Sequence, residues 1–533
     1  MAGGELRSGP GLAAFELTLA RTAELCGARL APQAGVSADQ AEALARRPIA
    51  GVATDSRVAG PGDVFWALPG ERFDGADFAA QALARGAAAV VIEEGRAADL
   101  PGAMLLRVPD ALAALGDLAA AVRRLSACRV TAVTGSVGKT TVKELLGEIL
   151  RAAGQSVIVT PGNFNNLVGT PLTLLSLSPR VDSAVVELGA SRAGEIKRLA
   201  ELARPDVGLV TALGEAHLEF FGDLDEVAQA KGELYRALEP QAVAVVSAGD
   251  RRLLAQAQTF AGARILFGGP DSGAHVRVVA REDYGLAGQK LTFVGPGLPT
   301  EGLTAVVRLP GRAGAHNALA AAAAGLAAGA QWNDVVRGLE AAEPAPGRLR
   351  PYMSPRGAWI IDDSYNANPT SMAAGLEFLA DLPNLPARGA ILGDMLELGP
   401  ESARCHRRLG RLAAEAGLDF LAVVGPRARE TAAAALEAGL APSAVEVFDD
   451  PDDAAEWASW RAPAGSATLI KASRSVGLER AVARLAARAA GGAKDDQARD
   501  AQNAQDAQAR DGQARDAQDD QARGDRPSRD GRL

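Results

Sequence analysis

Cysteine is scarce in these 533 residues. Cys26, Cys128 and Cys405 lie far apart, and no CxxC spacing exists. That excludes a disulfide framework and a thiolate metal site. It suits a reducing cytoplasm and leaves each thiol as a small buried hydrophobe. A basic excess is missing too: the net charge is −9, so nucleic acid is not expected as a partner. Long apolar runs are absent as well. The longest, around Ala318–Ala330, is alanine-rich, follows His316 and Asn317, and falls short of the ~20 residues a membrane span needs. The opening stretch sets Glu5, Arg7 and Glu16 among its apolar residues, so no signal peptide is expected. No internal repeat of solenoid length is found.

What remains is an ordinary globular composition, 48% hydrophobic and 23% charged, in a chain too long for one core. The fold expected is α/β in three domains. Residues 1–125 read as a smaller mixed α/β unit, with "GDVFWAL" and "AAAVVIE" as strands. Residues 126–345 read as a mostly parallel sheet with helices on both sides, from the runs "RVTAVT", "SVIVT", "SAVVEL" and "DVGLVT". The Pro-rich "AEPAPGRLRP" reads as a junction. Beyond it, residues 346–490 form a second, Rossmann-like α/β unit on "AWIID", "GAILGD", "FLAVVG", "AVEVF" and "ATLIKA". Residues 491–533 almost lose their Leu, Ile, Val and Phe and are expected to be a disordered low-complexity tail.

In parallel α/β sheets ligands bind at the carboxyl ends of the strands. Four successive strands of the central unit end in chemistry. After "RVTAVT" comes Gly135-Ser136-Val137-Gly138-Lys139-Thr140-Thr141. The helix that follows it carries Val142, Leu145, Leu146, Ile149 and Leu150 on one face. Glycines let backbone N–H groups approach phosphate, Lys139 would neutralise it, and the Thr140 hydroxyl would sit on Mg²⁺. The commoner phosphate loop carries a further glycine where Val133 stands. After "SVIVT" come the amides of Asn163, Asn165 and Asn166 in "PGNFNNLVG". Glu187 closes the third run as a candidate Mg²⁺ ligand, and His217 follows the fourth as another. Lys231 falls inside the helical stripe of Val227, Ala230, Leu234 and Leu238. A buried ammonium is costly unless paired or modified. On the residues alone, a lysine snorkelling at the stripe's border reads better than a carbamate.

The loop Gly135-Ser-Val-Gly-Lys-Thr, with "TDSRVAGPGDVFWALPGERFDGADF", "TPGNFNNLVGTPLTLL", "DDSYNANPTSM" and "ILGDMLELG", resembles the Mur ligase family, the ATP-dependent amide-forming enzymes of peptidoglycan synthesis. That family's loop has the form G-[ST]-x-G-K-T, so Val133 belongs to the strand. The longer signatures resemble the branch that acts on UDP-N-acetylmuramoyl-tripeptide and D-alanyl-D-alanine, through an acyl phosphate. The resemblance implies ATP and Mg²⁺ as cofactors and a cytoplasmic monomer. It places Asp55, Ser56 and Arg57 at the UDP end of the precursor, and Asn317 beside adenine. It brings Arg348, Asp363, Tyr365, Asn366 and Asn368 towards the nucleotide and the incoming dipeptide. Asn163, Asn165 and Asn166 fall on the substrate side. It assigns Mg²⁺ to Glu187 and His217 with Thr140, and matches Lys231 to a lysine carried as a carbamate, which reverses the bland reading there. Two positions depart from the family pattern: Ala320 where a second asparagine often stands, and Ala472 where "KGSR" has glycine. A sister ligase adding the third amino acid, or a folate polyglutamate-type ligase, is disfavoured by "DDSYNANPTSM". A P-loop kinase or switch remains a rival, weakened by the lack of any Asn-Lys-x-Asp guanine motif.

Overall fold

Runs such as Val130–Thr134 are apolar on both faces, which suits strands covered by helices on either side. The computed structural model describes residues 7–487 apart from residues 9, 71–72, 97–98 and 216–217, and arranges such runs in three sheets. The expected tail, residues 491–533, and His217 lie outside the described residues.

The first sheet holds β1 (Arg29–Pro32), β2 (Gly51–Ala53), β3 (Asp63–Trp66), β4 (Ala89–Glu93) and β5 (Met104–Val108), in the order β1-β5-β4-β3-β2. Only the β1–β5 pair in it is antiparallel. The second holds β6 (Arg129–Thr134), β7 (Val157–Val159), β8 (Ser183–Glu187), β9 (Val207–Val210), β10 (Val243–Ser247), β11 (Ala263–Gly268), β12 (Val276–Asp283), β13 (Gln289–Val294) and β14 (Leu303–Val307). Their order is β14-β13-β12-β11-β10-β9-β6-β8-β7. It is parallel up to β12 and then closes as an antiparallel meander through β13 and β14. The third holds β15 (Arg350–Met353), β16 (Trp359–Asp362), β17 (Arg388–Gly393), β18 (Phe420–Val424), β19 (Val445–Phe448) and β20 (Ala467–Lys471), ordered β15-β16-β20-β17-β18-β19. All but the β15 edge are parallel.

The α/β architecture in three units is as expected. The meander β12–β14 was not anticipated: β12 is largely exposed, β13 and β14 alternate buried with more open positions, and the region was read as part of a mostly parallel sheet. The 125/126 division does not part the core. The helix Ala111–Leu125 buries Leu115, Leu118 and Val122 in one apolar cluster that runs from Val64 and Leu106 of the first sheet to Val130 and Val186 of the second. The opposite face of the second sheet is packed by the helices Lys139–Ala152 and Gly311–Ala327. Alanines 318 and 320–324 of the latter are fully buried, and their small side chains let it approach closely. Among the described residues no helix is long and apolar enough to cross a membrane. The three cysteines are buried free thiols.

Candidate active site

Strand β6 lies between β9 and β8, so the chain leaves it in one direction and returns on both sides. That is a topological switch point, where a crevice opens at the carboxyl edge. The loop Gly135–Gly138 fills it. Gly135 has φ +144° and Gly138 φ +85°. A Cβ would fall 2.2 Å from Thr211 Oγ1 at the first and 2.4 Å from Asn317 Oδ1 at the second. Only glycine fits either position. Thr211, which the sequence reading passed over, braces the loop by donating its hydroxyl to Val137 O at 2.5 Å. Ser136 N donates to Ala212 O at 2.8 Å. Lys139 opens the helix and folds back, its Nζ donating to Gly135 O at 2.8 Å. Desolvation holds its ammonium below the ordinary lysine range, partly offset by the Glu187 charge. The Ser136 hydroxyl is buried, with no hydrogen-bond partner among the described residues.

Glu187 ends β8 and is 2% exposed. It accepts from Thr140 Oγ1 at 3.1 Å and from Asn165 Nδ2 at 2.8 Å. The other two amides do not converge on it. Asn166 accepts from Val168 N and Gly169 N, capping the next helix, and Asn163 is exposed. Behind Glu187 stands Lys143, fully buried, with Nζ 4.0 Å from Glu187 Oε2 and donating to Thr160 O at 2.7 Å. The sequence reading missed Lys143. It lies three and seven residues before the buried Leu146 and Leu150, a spacing that places it on their face.

Lys231 lies on the helix Leu224–Arg236 and is 1% exposed. Its Nζ donates to Ala190 O at 3.0 Å and stands 5.4 Å from the Phe221 ring centroid. Desolvation, followed by the positive charge of Lys139, lowers its pKa to about 7. The snorkelling alternative is therefore overturned: the head group is buried. Among the described residues no group of three or more His, Cys, Asp and Glu gathers as a metal cluster.

Across a cleft of about 340 Å³ stands the carboxyl edge of the third sheet. Asp363, Tyr365 and Asn366 follow β16, and Lys471 ends β20. Lys471, buried, donates to Asp363 Oδ2 at 2.6 Å and Asn366 O at 2.9 Å. Desolvation pulls its ammonium down, and Asp363 opposes that shift. Arg348 reaches over from the junction. Its Nη2 donates to Thr140 Oγ1 at 3.3 Å, its guanidinium lies 4.3 Å from the Tyr365 centroid, and its Nε is buried without a partner. Asn368 caps the helix Pro369–Asp381 by accepting from Ser371 N at 2.8 Å, and also lines the cleft. Asn317 lines it beside Gly138. The cleft thus gathers residues 136–141, Asn317, Arg348, Asp363, Asn366 and Asn368.

Asp55, Ser56 and Arg57 are not brought to this cleft by any hydrogen bond among the described residues. They follow β2, where Arg57 folds onto Asp55 at 2.6 Å and holds that carboxyl below its ordinary range. Ser56 donates to Gln81 Oε1 at 2.6 Å. The two departures both stand in packed surroundings. Ala320 lies in the apolar core under its helix and does not line the cleft. Ala472 has no positive φ, and its methyl occupies the space a Cβ on Gly393 would need, 2.6 Å away.

Three family models match this chain: the Mur ligase family catalytic domain over residues 48–123, the Mur ligase middle domain over 133–325, and the Mur ligase glutamate ligase domain over 347–474. The UDP-N-acetylmuramoyl-tripeptide–D-alanyl-D-alanine ligase of Escherichia coli K12 is 41% identical over 378 residues, 70% of this chain and 81% of that one. The enzyme of the same name from Mycobacterium tuberculosis H37Rv is 38% identical over 442 residues, 77% of this chain and 83% of that one. Among solved structures, MurF from Acinetobacter baumannii matches with a TM-score of 0.77 at 33% identity, over 88% of this chain and 99% of that chain. MurF from Thermotoga maritima in complex with ADP matches with a TM-score of 0.72 at 29% identity, over 82% of this chain and 97% of that chain.

Proposed function

The chain belongs to the Mur ligase family, and from that premise we infer its reaction: it joins D-alanyl-D-alanine to UDP-N-acetylmuramoyl-tripeptide, with ATP converted to ADP and phosphate. The observation that carries this reading is the cradle of Ser136, Gly138 and Lys139 facing Arg348 and Asp363 across one cleft. The buried, unpartnered Ser136 Oγ and Arg348 Nε fit phosphate oxygens, which accept from such donors.

A carboxylate is a poor electrophile. A terminal carboxylate oxygen of the tripeptide attacks the γ-phosphorus, and ADP leaves. The dipeptide amine then attacks the acyl carbon, a tetrahedral intermediate forms, the nitrogen loses a proton, and phosphate departs. Phosphoryl transfer asks the protein mainly for positioning and charge neutralisation. Lys139, bonded to Gly135 O, would release that carbonyl and follow the phosphate. Arg348 tethers the third unit to Thr140 at the same point. Asn317 would hold the adenine, while Asp55, Ser56 and Arg57 would hold the UDP end. Asn163, Asn165 and Asn166 would line the muramyl-peptide path, and Tyr365, Asn366 and Asn368 the dipeptide side.

Oxygen donors suit a hard cation. Thr140 and Glu187, with His217 and a carbamate on Lys231, would hold Mg²⁺, which when bound neutralises charge between two approaching anions. Burial lowers the Lys231 pKa to about 7, so a large share of the amine is neutral near neutral pH, and the neutral form is the one that adds to CO₂. We place the enzyme in the cytoplasm as a monomer, where ATP and the UDP-linked precursor are available. A phosphate-release assay with defined UDP-muramoyl-tripeptides and candidate amines tests the reading. Release driven by D-alanyl-D-alanine supports it. Release driven only by a diamino acid or glutamate, or by no amine at all, overturns it.

A further inference from the structure

The C-terminal rim carries a cation that the reaction above does not use. Arg474 opens the short turn Arg474–Val476 just past β20, at the same sheet edge as Asp363 and Tyr365. The backbone on its N-terminal side is pinned: Ser473 N donates to Asp394 O at 3.0 Å, and Ser473 Oγ accepts from Leu396 N at 2.9 Å. The Arg474 side chain itself is exposed. Among the described residues its guanidinium makes no ion pair and no hydrogen bond. Its contact is the Tyr365 ring, 4.7 Å from the centroid. Its neighbours differ: Lys139, Lys471 and Arg348 each find an oxygen acceptor.

The same Tyr365 ring also carries Arg348, at 4.3 Å. The two guanidinium carbons are therefore no more than about 9 Å apart. Arg348 marks the phosphate end of the cleft through its bond to Thr140. An extended dipeptide measures about 7 Å from amine to carboxylate. An acceptor of that length whose amine attacks at the Arg348 end can span to Arg474 with its far carboxylate. Stacking on an aromatic face leaves the in-plane N–H edge of a guanidinium free, and that edge matches a carboxylate bidentately.

We propose that Arg474 binds the terminal carboxylate of the incoming dipeptide and so sets a preference for acceptors with a free acid at their far end. This rests on the ligase reading above. The test compares D-alanyl-D-alanine with its C-terminal amide, D-alanyl-D-alaninamide, in wild type and Arg474→Gln. Loss of charge-assisted hydrogen bonds should raise KM for the free acid about 10–100-fold, with kcat within about threefold and KM for ATP unchanged. The amide should show nearly the same KM in both proteins. Arg474→Lys, a point charge without the fork, should recover part of the loss. Equal losses for both acceptors, or a rise in KM for ATP instead, overturn the assignment while the ligase reading stands. A wild type that joins neither acceptor overturns that reading and this assignment with it.

Discussion

The central unit meets its two neighbours through seams of opposite chemistry. Towards the N-terminal unit the seam is apolar and continuous: Val52, Val64 and Leu106 on one side, the helix Ala111–Leu125 between, Val130, Val186 and Val210 on the other. The Trp66 indole donates to Ala111 O at 2.7 Å, and Arg123 donates to Ala203 O at 2.8 Å, so these two buried donors are satisfied. Towards the C-terminal unit Leu286 packs against the third unit's apolar core, and around it stand scattered polar contacts. Arg348 reaches Thr140, Arg408 pairs with Glu215 at 2.9 Å, Glu215 N donates to Thr370 Oγ1 at 2.9 Å, and Arg312 stands 3.7 Å from Glu377 and Asp381. Apolar burial gains about 25 cal/mol per Å² and cannot be exchanged for water. Exposed polar contacts can be exchanged for water at little net cost. The first seam therefore fixes one unit on another, while the second can open, which is where substrates must enter and where the reactive groups lie.

Leu118→Ala attacks the apolar seam and carries the largest expected effect. It should cost about 2–5 kcal/mol, with the first two units unfolding in one calorimetric transition in wild type. Two separate transitions in wild type would break the contrast. Arg348→Ala attacks the polar seam and should divide the outcome the other way. We expect kcat to fall on the order of 10²-fold while chemical denaturation moves by less than about 1 kcal/mol; a large stability loss would show that this seam, too, holds the fold together.

Lys231→Met sharpens the point inside the central unit. In the metal-free protein with Lys231 uncarbamylated, burial lowers the amine from an ordinary 10.5 to about 7. Between those values the unfolded chain holds the extra proton, so native stability rises with pH across that window. The cost of burying the charge is fully present below about 7. Removing the amine should therefore raise the melting temperature more at pH 6 than at pH 9, while turnover is lost at both. An equal gain at the two pH values would mean that the head group is not desolvated. The smallest effect is expected from Arg408→Gln, an ion pair half open to water. It should change stability by less than about 1 kcal/mol, and high salt should erase the difference.

The readable parts of the site were contiguous ones. Gly135, Gly138 and Lys139 sit within five residues, and each glycine proved sterically obligatory. The four central strands fell where their β-branched runs stand, within a residue or so at each end. Asp363 and Asn366 were carried by "DDSYNANPTSM", yet Lys471, which Asp363 pairs with, stands 108 residues further on. Asn163 and Asn166 show the reverse. The amide-rich loop was read as three groups on the substrate side; in the structure Asn165 bonds Glu187, while backbone N–H groups compete for the Asn166 side chain.

The order of the chain was enough to establish the phosphate cradle, the parallel sheets and the family, because each depends on local spacing and on the burial pattern of short runs. Tertiary structure decided the fates of the cations. Lys143 and Lys231 are drawn out of water, Arg348 bonds a threonine 208 residues away, and Arg474 rests on an aromatic ring with its donors free. Desolvation and pairing depend on what packs around a charge, and those neighbours come from distant parts of the chain.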